Sequence, residues 1–281
     1  MSPLKSVTMN VLSLFDGISA GQIALMRAGI NVENYYASEI DKEAIDVTQY
    51  HFPNTIQVGD ICNLDTSTLP NIDLLFGGSP CQSFSNFGDG SGFDGKSGLF
   101  YQYVRVLREV KPKYFLLENV KMKKAWMNKI SDLLGVQPIE INSSLVSGQK
   151  RARLYWTNIP NLQIPQDKNI ILKDVLLNLP FRPIPKFLYG KYGDANRLDK
   201  CNWIGSNKSG CLTTNSSHAQ NYLLNEDKTM CRLYMPEEYE MLQTFPVGYT
   251  AMCKSTQRFK QLGNSWTVDV IAHIFKGLTN V

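Results

Sequence analysis

Through the first 157 positions, short apolar runs alternate with stretches in which apolar residues recur every three or four positions. Val11–Phe15 reads as a buried strand and Gly21–Ala28 as the helix after it. The alternation continues through strand Tyr35–Ser38, helix Asp41–His51, strands Ile56–Val58 and Ile72–Phe76, and helix Leu99–Val110. Strand Tyr114–Leu117, helix Met122–Leu134 and strand Leu154–Thr157 complete it. Strands about 20–40 residues apart with helices between them predict βαβ units, and so an α/β fold with a mostly parallel sheet covered by helices on both faces. After Trp156 the pattern changes. Residues 158–225 carry Pro160, Pro165, Pro180, Pro183 and Pro185, many Asn and Ser, and little periodicity. Helical patterning returns at Pro236–Thr244, with Pro in the first turn, and at Trp266–Leu278. The expected organisation is a large discontinuous domain, 1–157 and 229–281, interrupted by a small irregular region at 158–228.

Composition narrows the class. A chain of 281 residues, 43% hydrophobic and 11% aromatic, has the material for one large core and a small second one. A net charge of +4 excludes a histone-like binder and an acidic disordered protein but permits a locally basic groove. No apolar run approaches the ~18 residues of a membrane span, and Met1–Asn10 lacks the apolar core of a signal peptide. Cys62, Cys81, Cys201, Cys211, Cys231 and Cys253 show no CxxC spacing, and His51, His218 and His273 are isolated. Neither a metal site nor a disulfide framework is expected; reduced thiols in a cytoplasmic enzyme fit better.

In parallel sheets ligands bind beyond the carboxyl ends of the strands, so the loops leaving those ends carry the chemistry. The first, Phe15–Gly21, has the form G-x-x-x-G, and the dinucleotide fingerprint G-x-G-x-x-G fails. Asp16 would repel a pyrophosphate but could accept from an ammonium, which suits an amino-acid moiety. A plain strand-to-helix turn is the bland alternative. Glu39 ends the second strand and Asp60 follows the third; a carboxylate at the second tip is where ribose hydroxyls are gripped in nucleoside-binding folds. Either acid could instead cap the helix after it. Together Asp16, Glu39 and Asp60 outline an adenosine-type pocket.

A second loop, Gly77-Gly78-Ser79-Pro80-Cys81-Gln82, presents one thiol in a rigid frame at a strand end. A nucleophilic thiolate is the reading favoured over a packing cysteine. Glu118, in Glu118-Asn119-Val120 after the next strand, is a candidate proton donor or a cap of the following helix. Between them, residues 87–98 are glycine-rich. A calcium loop fails there, since the twelfth position from Asp89 is Phe100 rather than Glu, and a mobile lid fits better. Arg151 and Arg153 alternate into the strand Leu154–Thr157, so both side chains are expected on one face, suited to a phosphate or a base edge.

In this order the segments resemble the C5-cytosine DNA methyltransferases: F-x-G-x-x-x-G, Pro80-Cys81-Gln82, Glu118-Asn119-Val120, Gln149-x-Arg151-x-Arg153, Arg232-Leu233 through Leu242-Gln243-Thr244-Phe245-Pro246, and Gln261-Leu262-Gly263-Asn264-Ser265. The resemblance covers nearly all of the chain except about residues 158–225. It implies a Rossmann-like class I methyltransferase fold and S-adenosyl-L-methionine as cofactor. It also implies transfer of a methyl group to C5 of a cytosine flipped out of double-stranded DNA. By resemblance, Cys81 adds to C6, Glu118 acts at N3 and Arg153 holds O2, with Asn119, Arg151, Pro80 and Gln82 in support. Phe15 and Ile40 would lie against adenine, and Asp16, Gly17, Ile18, Ser19 and Ala20 around the methionine part. Glu39 would take the ribose hydroxyls, Asp60, Ile61 and Cys62 would border adenine, and Asn264, Ser265 and Trp266 would close the site.

The resemblance is mixed. Ser79-Pro80-Cys81 and Ser265-Trp266 are similar to animal de novo methyltransferases, whereas Gln82 and Asn264 follow bacterial members. A compact prokaryotic or phage-borne enzyme without regulatory domains is expected, cytoplasmic and nucleoid-associated when on DNA. The variable region, with Lys186, Lys191, Arg197, Lys200 and Lys208, would read a short target sequence. The rivals are a tRNA cytosine-5 methyltransferase, a catalytically inactive DNA-binding relative and a nucleotide-dependent oxidoreductase. The sequence leaves a cognate restriction enzyme open.

Overall fold

The central strands are rich in apolar residues because both faces of their sheet are covered. Leu12 and Leu14 of β1 (Thr8–Leu14), Leu74–Phe76 of β4 (Leu74–Gly78) and Leu116–Leu117 of β5 (Tyr114–Val120) are all fully buried. The computed structural model describes residues 8–80, 98–189, 197–214 and 219–279. Two compact units divide the chain. The first comprises Met1–Ile141, Ala152–Ile164 and Ile271–Val281, and the second Asn142–Arg151 and Pro165–Val270. These units follow packing. The sequence-based region 158–228 follows composition instead.

The first unit is Rossmann-like. With β2 (Asn31–Ser38), β3 (Ile56–Gln57), β6 (Ile139–Asn142) and β7 (Ala152–Thr157), the sheet runs in the order β3-β2-β1-β4-β5-β7-β6. The pairs among β1 to β5 are parallel and β5–β7 is antiparallel. Crossovers are supplied by α1 (Ala20–Ala28), α2 (Lys42–His51), α3 (Leu99–Val110) and α4 (Lys124–Leu134). Asp41 caps α2 by accepting from the Glu43 amide, and α1 and α4 end at glycines in the left-handed region. One core joins Leu12, Leu75, Leu117 and Trp156 of the sheet to Phe100, Tyr103 and Val106 of α3 and to Ile130 and Leu134 of α4. The Trp156 indole donates to Ser131 Oγ at 2.9 Å, so its one polar atom is satisfied inside that core.

The structure departs from expectation at several elements. β5 runs on through Glu118, Asn119 and Val120 rather than stopping at Leu117, because its polar residues find partners inside the protein. β4 starts at Leu74 and α4 at Lys124, two positions after the expected starts. The helix expected over Trp266–Leu278 is α7 (Val268–Phe275) followed by a 3-10 turn, Lys276–Leu278. β6 and α6 (Ser255–Asn264) were not expected at all.

The second unit holds α5 (Pro236–Leu242), α6 and a small sheet in the order β8-β11-β10-β9, formed by Arg182–Pro183, Met230–Leu233, Tyr222–Leu224 and Asn202–Trp203. Strands of two to four residues are too short to impose a period on the sequence. Leu188, Leu224 and Cys231 form their core. Polar clamps do the rest. Glu238, fully buried, takes both terminal nitrogens of Arg232 at 2.6 and 2.8 Å and accepts from the Met235 and Leu177 amides. Glu240 likewise takes Arg258 and the amides of Gly248 and Thr250. Lys208, expected at a phosphate, spends its ammonium on the carbonyls of Ser144, Ser147 and Ile170 at 2.6, 3.1 and 2.6 Å. An ammonium has three donors, so Lys208 is an internal strut. No described helix is long and apolar enough to cross a membrane.

Gly77 marks where β1 and β4 approach most closely: a methyl group there would stand 2.6 Å from the Leu14 carbonyl oxygen. Gly77→Ala is expected to cost about 1–3 kcal/mol and lower the melting temperature by several degrees in a thermal scan, with Gly29→Asn, in a left-handed helix cap, as a mild control.

Candidate active site

The β1–α1 loop is held in a conformation it would not choose alone. Phe15, Gly17 and Ser19 have φ of 58°, 58° and 55°, and two of the three are not glycine. Acids from neighbouring elements fix it. Glu39, at the tip of β2, accepts from the Gly17 amide at 2.8 Å through one oxygen and from the Ile40 and Asp41 amides at 2.8 and 2.9 Å through the other. Asp16 accepts from the Tyr35 hydroxyl at 2.6 Å and from Ser19 Oγ, and Thr48 Oγ1 reaches Ser19 Oγ at 3.1 Å. Burial pushes the Asp16 carboxyl up to about 6. Hydrogen bonds from Ser13, Ser19 and Tyr35 pull it down, and the charge of Glu39 pushes up again. Beside these acids Ile40 is 73% exposed, and nothing stands within 4 Å of the place where a Gly17 side chain would begin. Ile18, Ser19 and Ala20 are buried behind the loop. At Gly21 a methyl would meet the Phe76 ring at 2.5 Å, so α1 can lie close on the sheet only with glycine there.

Asp60 does cap the short turn after it, accepting from the Cys62 amide at 2.9 Å. That turn, Ile61–Asn63, is also gripped by a residue that sequence reasoning missed. Arg105 of α3 donates to the Ile61 carbonyl at 2.6 Å and the Leu64 carbonyl at 3.3 Å, and is itself steadied by Gln102 and Glu109. Neither Arg105 nor Tyr35 carries a local sequence signal; each lies on an ordinary amphipathic element and is recognisable only from its contacts.

Two strands away, a second cluster forms at the carboxyl ends of β4 and β5. Gly78 pairs in register with Glu118, and Glu118 with Tyr155 of β7. Side chains alternate along a strand, so Arg153, two residues from Tyr155, shares the face of Glu118. Arg153 Nε lies 3.0 Å from Glu118 Oε1, with both side chains largely buried. Asn119, 1% exposed, donates to the Ser79 carbonyl at 3.3 Å and to Ser79 Oγ at 3.1 Å. It thus ties down the chain one residue before Pro80. Cys81 and Gln82 lie outside the described residues, as does the expected lid up to residue 97.

Arg151 departs from expectation. β7 begins at Ala152, so Arg151 precedes the strand and shares no strand face with Arg153. Within the second unit its guanidinium donates to the Ser265 carbonyl at 2.9 Å and to Cys211 Sγ at 3.4 Å. The hub there is Gln243. It donates to the carbonyls of Leu262 and Ser265 at 2.7 and 3.0 Å and accepts from Gln149 and Thr267 at 2.7 and 2.8 Å. Three separated motifs, around Gln149–Arg151, Leu242–Phe245 and Gly263–Ser265, are therefore bonded into one cluster. Asn264 is exposed, and Ser265 and Trp266 are half-buried just beyond α6. Among the described residues no group of three or more His, Cys, Asp or Glu side chains could hold a metal ion.

Comparison with known proteins agrees with this layout. The model of the C-5 cytosine-specific DNA methylase family matches residues 9–131 and 146–280. The type II methyltransferase M.HhaI of Haemophilus parahaemolyticus is 28% identical over 309 residues, covering 95% of this chain and 93% of that protein. The orphan methyltransferase M.SPRI of Bacillus phage SPR is 45% identical over 116 residues, 40% of this chain, and the match spans only 26% of that relative's length. The crystallised methyltransferase EhMeth of Entamoeba histolytica superposes with a TM-score of 0.76 over 98% of each chain at 18% identity, a likeness of fold.

Arg105→Met leaves the Ile61 and Leu64 carbonyls without their charged donor. A loss of about 1–3 kcal/mol is expected, with faster amide hydrogen exchange confined to the neighbourhood of Cys62–Leu64; uniform exchange across the sheet would remove the local role of Arg105.

Proposed function

The chain belongs to the C-5 cytosine-specific DNA methylase family, and we propose that it is a DNA (cytosine-5-)-methyltransferase acting through Cys81, Glu118 and Arg153. The observation that carries this reading is the buried Glu118–Arg153 pair beside the end of β4, where Asn119 anchors Ser79 two residues before Cys81. A cytosine flipped from the duplex would meet the thiolate of Cys81 at C6. Glu118 would bond N3 and draw electron density from the ring, while Arg153, already held by Glu118, would donate to O2. Addition of sulfur at C6 turns C5 into an enamine carbon able to take a methyl group. Loss of the C5 proton then restores the double bond and expels Cys81.

The residues of the first loop suit S-adenosyl-L-methionine. Open space over Gly17, the exposed Ile40 beside Glu39, and an Asp16 carboxyl poised near 6 offer room, an apolar face and an acceptor. Bound there, it would supply an electrophilic methyl. Glu39 would keep its three amide bonds and use remaining lone pairs for ribose hydroxyls. Asp16, Ser19 and their neighbours would receive the amino-acid end, and Phe15, Ile40, Asp60, Ile61 and Cys62 the adenine. Asn264, Ser265 and Trp266 keep the cofactor role the resemblance gives them, and Arg151 and Gln82 a supporting one. The region 158–228 is proposed to read the target sequence on double-stranded DNA.

The deciding experiment compares transfer of tritiated methyl groups to duplex DNA and to tRNA, with bisulfite sequencing of a plasmid expressed alongside the protein. Labelled DNA and a short methylated sequence are expected; label on tRNA alone would make this an RNA enzyme. Cys81→Ser should reduce turnover at least 1000-fold, on the scale of losing a nucleophile. It should leave the stabilisation by S-adenosylhomocysteine intact, and DNA containing 5-fluorocytosine should trap the wild-type protein covalently on denaturing gels.

Asp16 adds a pH dependence. Its folded pKa is raised, so the protein loses stability as pH climbs from about 4, the free-chain value, through about 6. An ammonium beside the carboxylate favours the charged form. Cofactor affinity should therefore rise across the same window, and Asp16→Asn should flatten both curves, read by thermal shift with S-adenosylhomocysteine from about pH 4 to about pH 8.

A further inference from the structure

The segment that leaves β5 is basic in a way the proposed chemistry does not use. Lys121, Lys123, Lys124 and Lys129 put four positive charges into nine positions without an acid among them, against +4 for the whole chain. All four are exposed. They follow Glu118 by three to eleven residues and stand where β5 emerges at its carboxyl end, the edge at which α/β sheets receive their ligands.

Their surroundings organise these lysines. Lys123 Nζ lies 4.8 Å above the half-buried Trp126 ring, and Lys129 Nζ lies 5.5 Å above Tyr101 at the start of α3. A lysine resting on a ring loses little further freedom on binding an anion. Lys121 pairs with Glu140 at 2.9 Å, and both side chains are widely exposed, so a stronger anion can displace that partner at little cost. The amino end of α4 adds to the positive field: it has neither an acidic residue in its first turn nor a side-chain cap. In the second unit, by contrast, Lys208 is consumed by carbonyls, so one lysine of the variable region already has work inside the protein.

We propose that Lys121, Lys123, Lys124 and Lys129, with Trp126 and Tyr101 as their supports, form a docking surface for the phosphate backbone of duplex DNA flanking the target base. The choice of DNA rests on the reading above. The surface carries no base-edge chemistry and contributes affinity and register, not sequence choice.

Duplex binding is measured as a function of salt for a 30-base-pair duplex without a methylation site, using wild type, Lys123→Gln/Lys124→Gln and the control Arg108→Gln/Lys113→Gln. The control charges lie toward the other end of β5, about 20 Å away by strand length and beyond the ~10 Å Debye length at 0.1 M salt. Each lost phosphate contact should reduce the slope of log K against log salt by about 0.9. The test pair should lose nearly two units and, by the same slope, bind about 60-fold more weakly at 0.1 M. The control should keep the wild-type slope. An unchanged slope in the test pair, or equal losses in both pairs, overturns the inference, as does a loss seen with tRNA but not with duplex. Failure to methylate DNA with the slope change intact would instead overturn the functional reading and leave the surface standing.

Discussion

A buried carboxylate and a buried guanidinium cannot be left apart. Glu118 is 8% exposed on β5, and taking such a charge out of water costs several kcal/mol unless a counter-charge meets it. β7 supplies that partner because it runs antiparallel to β5: the reversed strand brings Arg153 diagonally onto the face of Glu118, whereas its direct opposite is Tyr155. The antiparallel β5–β7 pair therefore has a chemical consequence. It places an acceptor and a fork of donors side by side at a strand end, held rigid by two ladders of backbone bonds. A hydrophobic pair would be easier to bury there, so the ion pair reads as a site kept for use.

Sequence reasoning recovered the sheet to the extent that burial is two-sided. β4 and the first half of β5 are apolar without a break, β1 is apolar but for Asn10 and Ser13 within it, and α3 was delimited as Leu99–Val110 by a regular stripe. Legibility failed where partners replace apolarity. The end of β5 reads as loop because Glu118 and Asn119 are polar, yet both are buried against specific atoms. α6 shows few apolar positions because Arg258 and Gln261 occupy buried ones, Arg258 matched by Glu237 and Glu240. The strands of the small sheet are too short to show a period, and their order is set by the distant pairings Met230 with Pro183 and Leu223 with Asn202.

The candidate site was legible in a different currency. Loop chemistry singled out Asp16, Glu39, Glu118 and Arg153, and the structure gathers them into two clusters at strand ends of one unit. The supporting residues were silent. Tyr35 and Arg105 work through hydrogen bonds to partners distant in sequence, and a side chain of ordinary type on an ordinary helix or strand carries no local mark of that duty. Arg151 shows the converse error: its spacing from Arg153 suggested a shared strand face, but the strand starts one residue later, and the guanidinium turns to Ser265 and Cys211.

Fixed acids and strained backbone belong together in the first loop. Phe15 and Ser19 sit in the left-handed region at a cost of order 1–3 kcal/mol each, and the amide bonds accepted by Glu39 and the hydroxyls gathered by Asp16 offset it. Those same carboxylates are the groups a zwitterionic nucleoside would address. A ligand ammonium would relieve the desolvated Asp16, turning a destabilising burial in the free protein into a favourable contact in the complex. Under the proposed function, stability withheld at this loop would be returned on binding, coupling occupancy of the pocket to order in the β1–α1 turn without any change of fold.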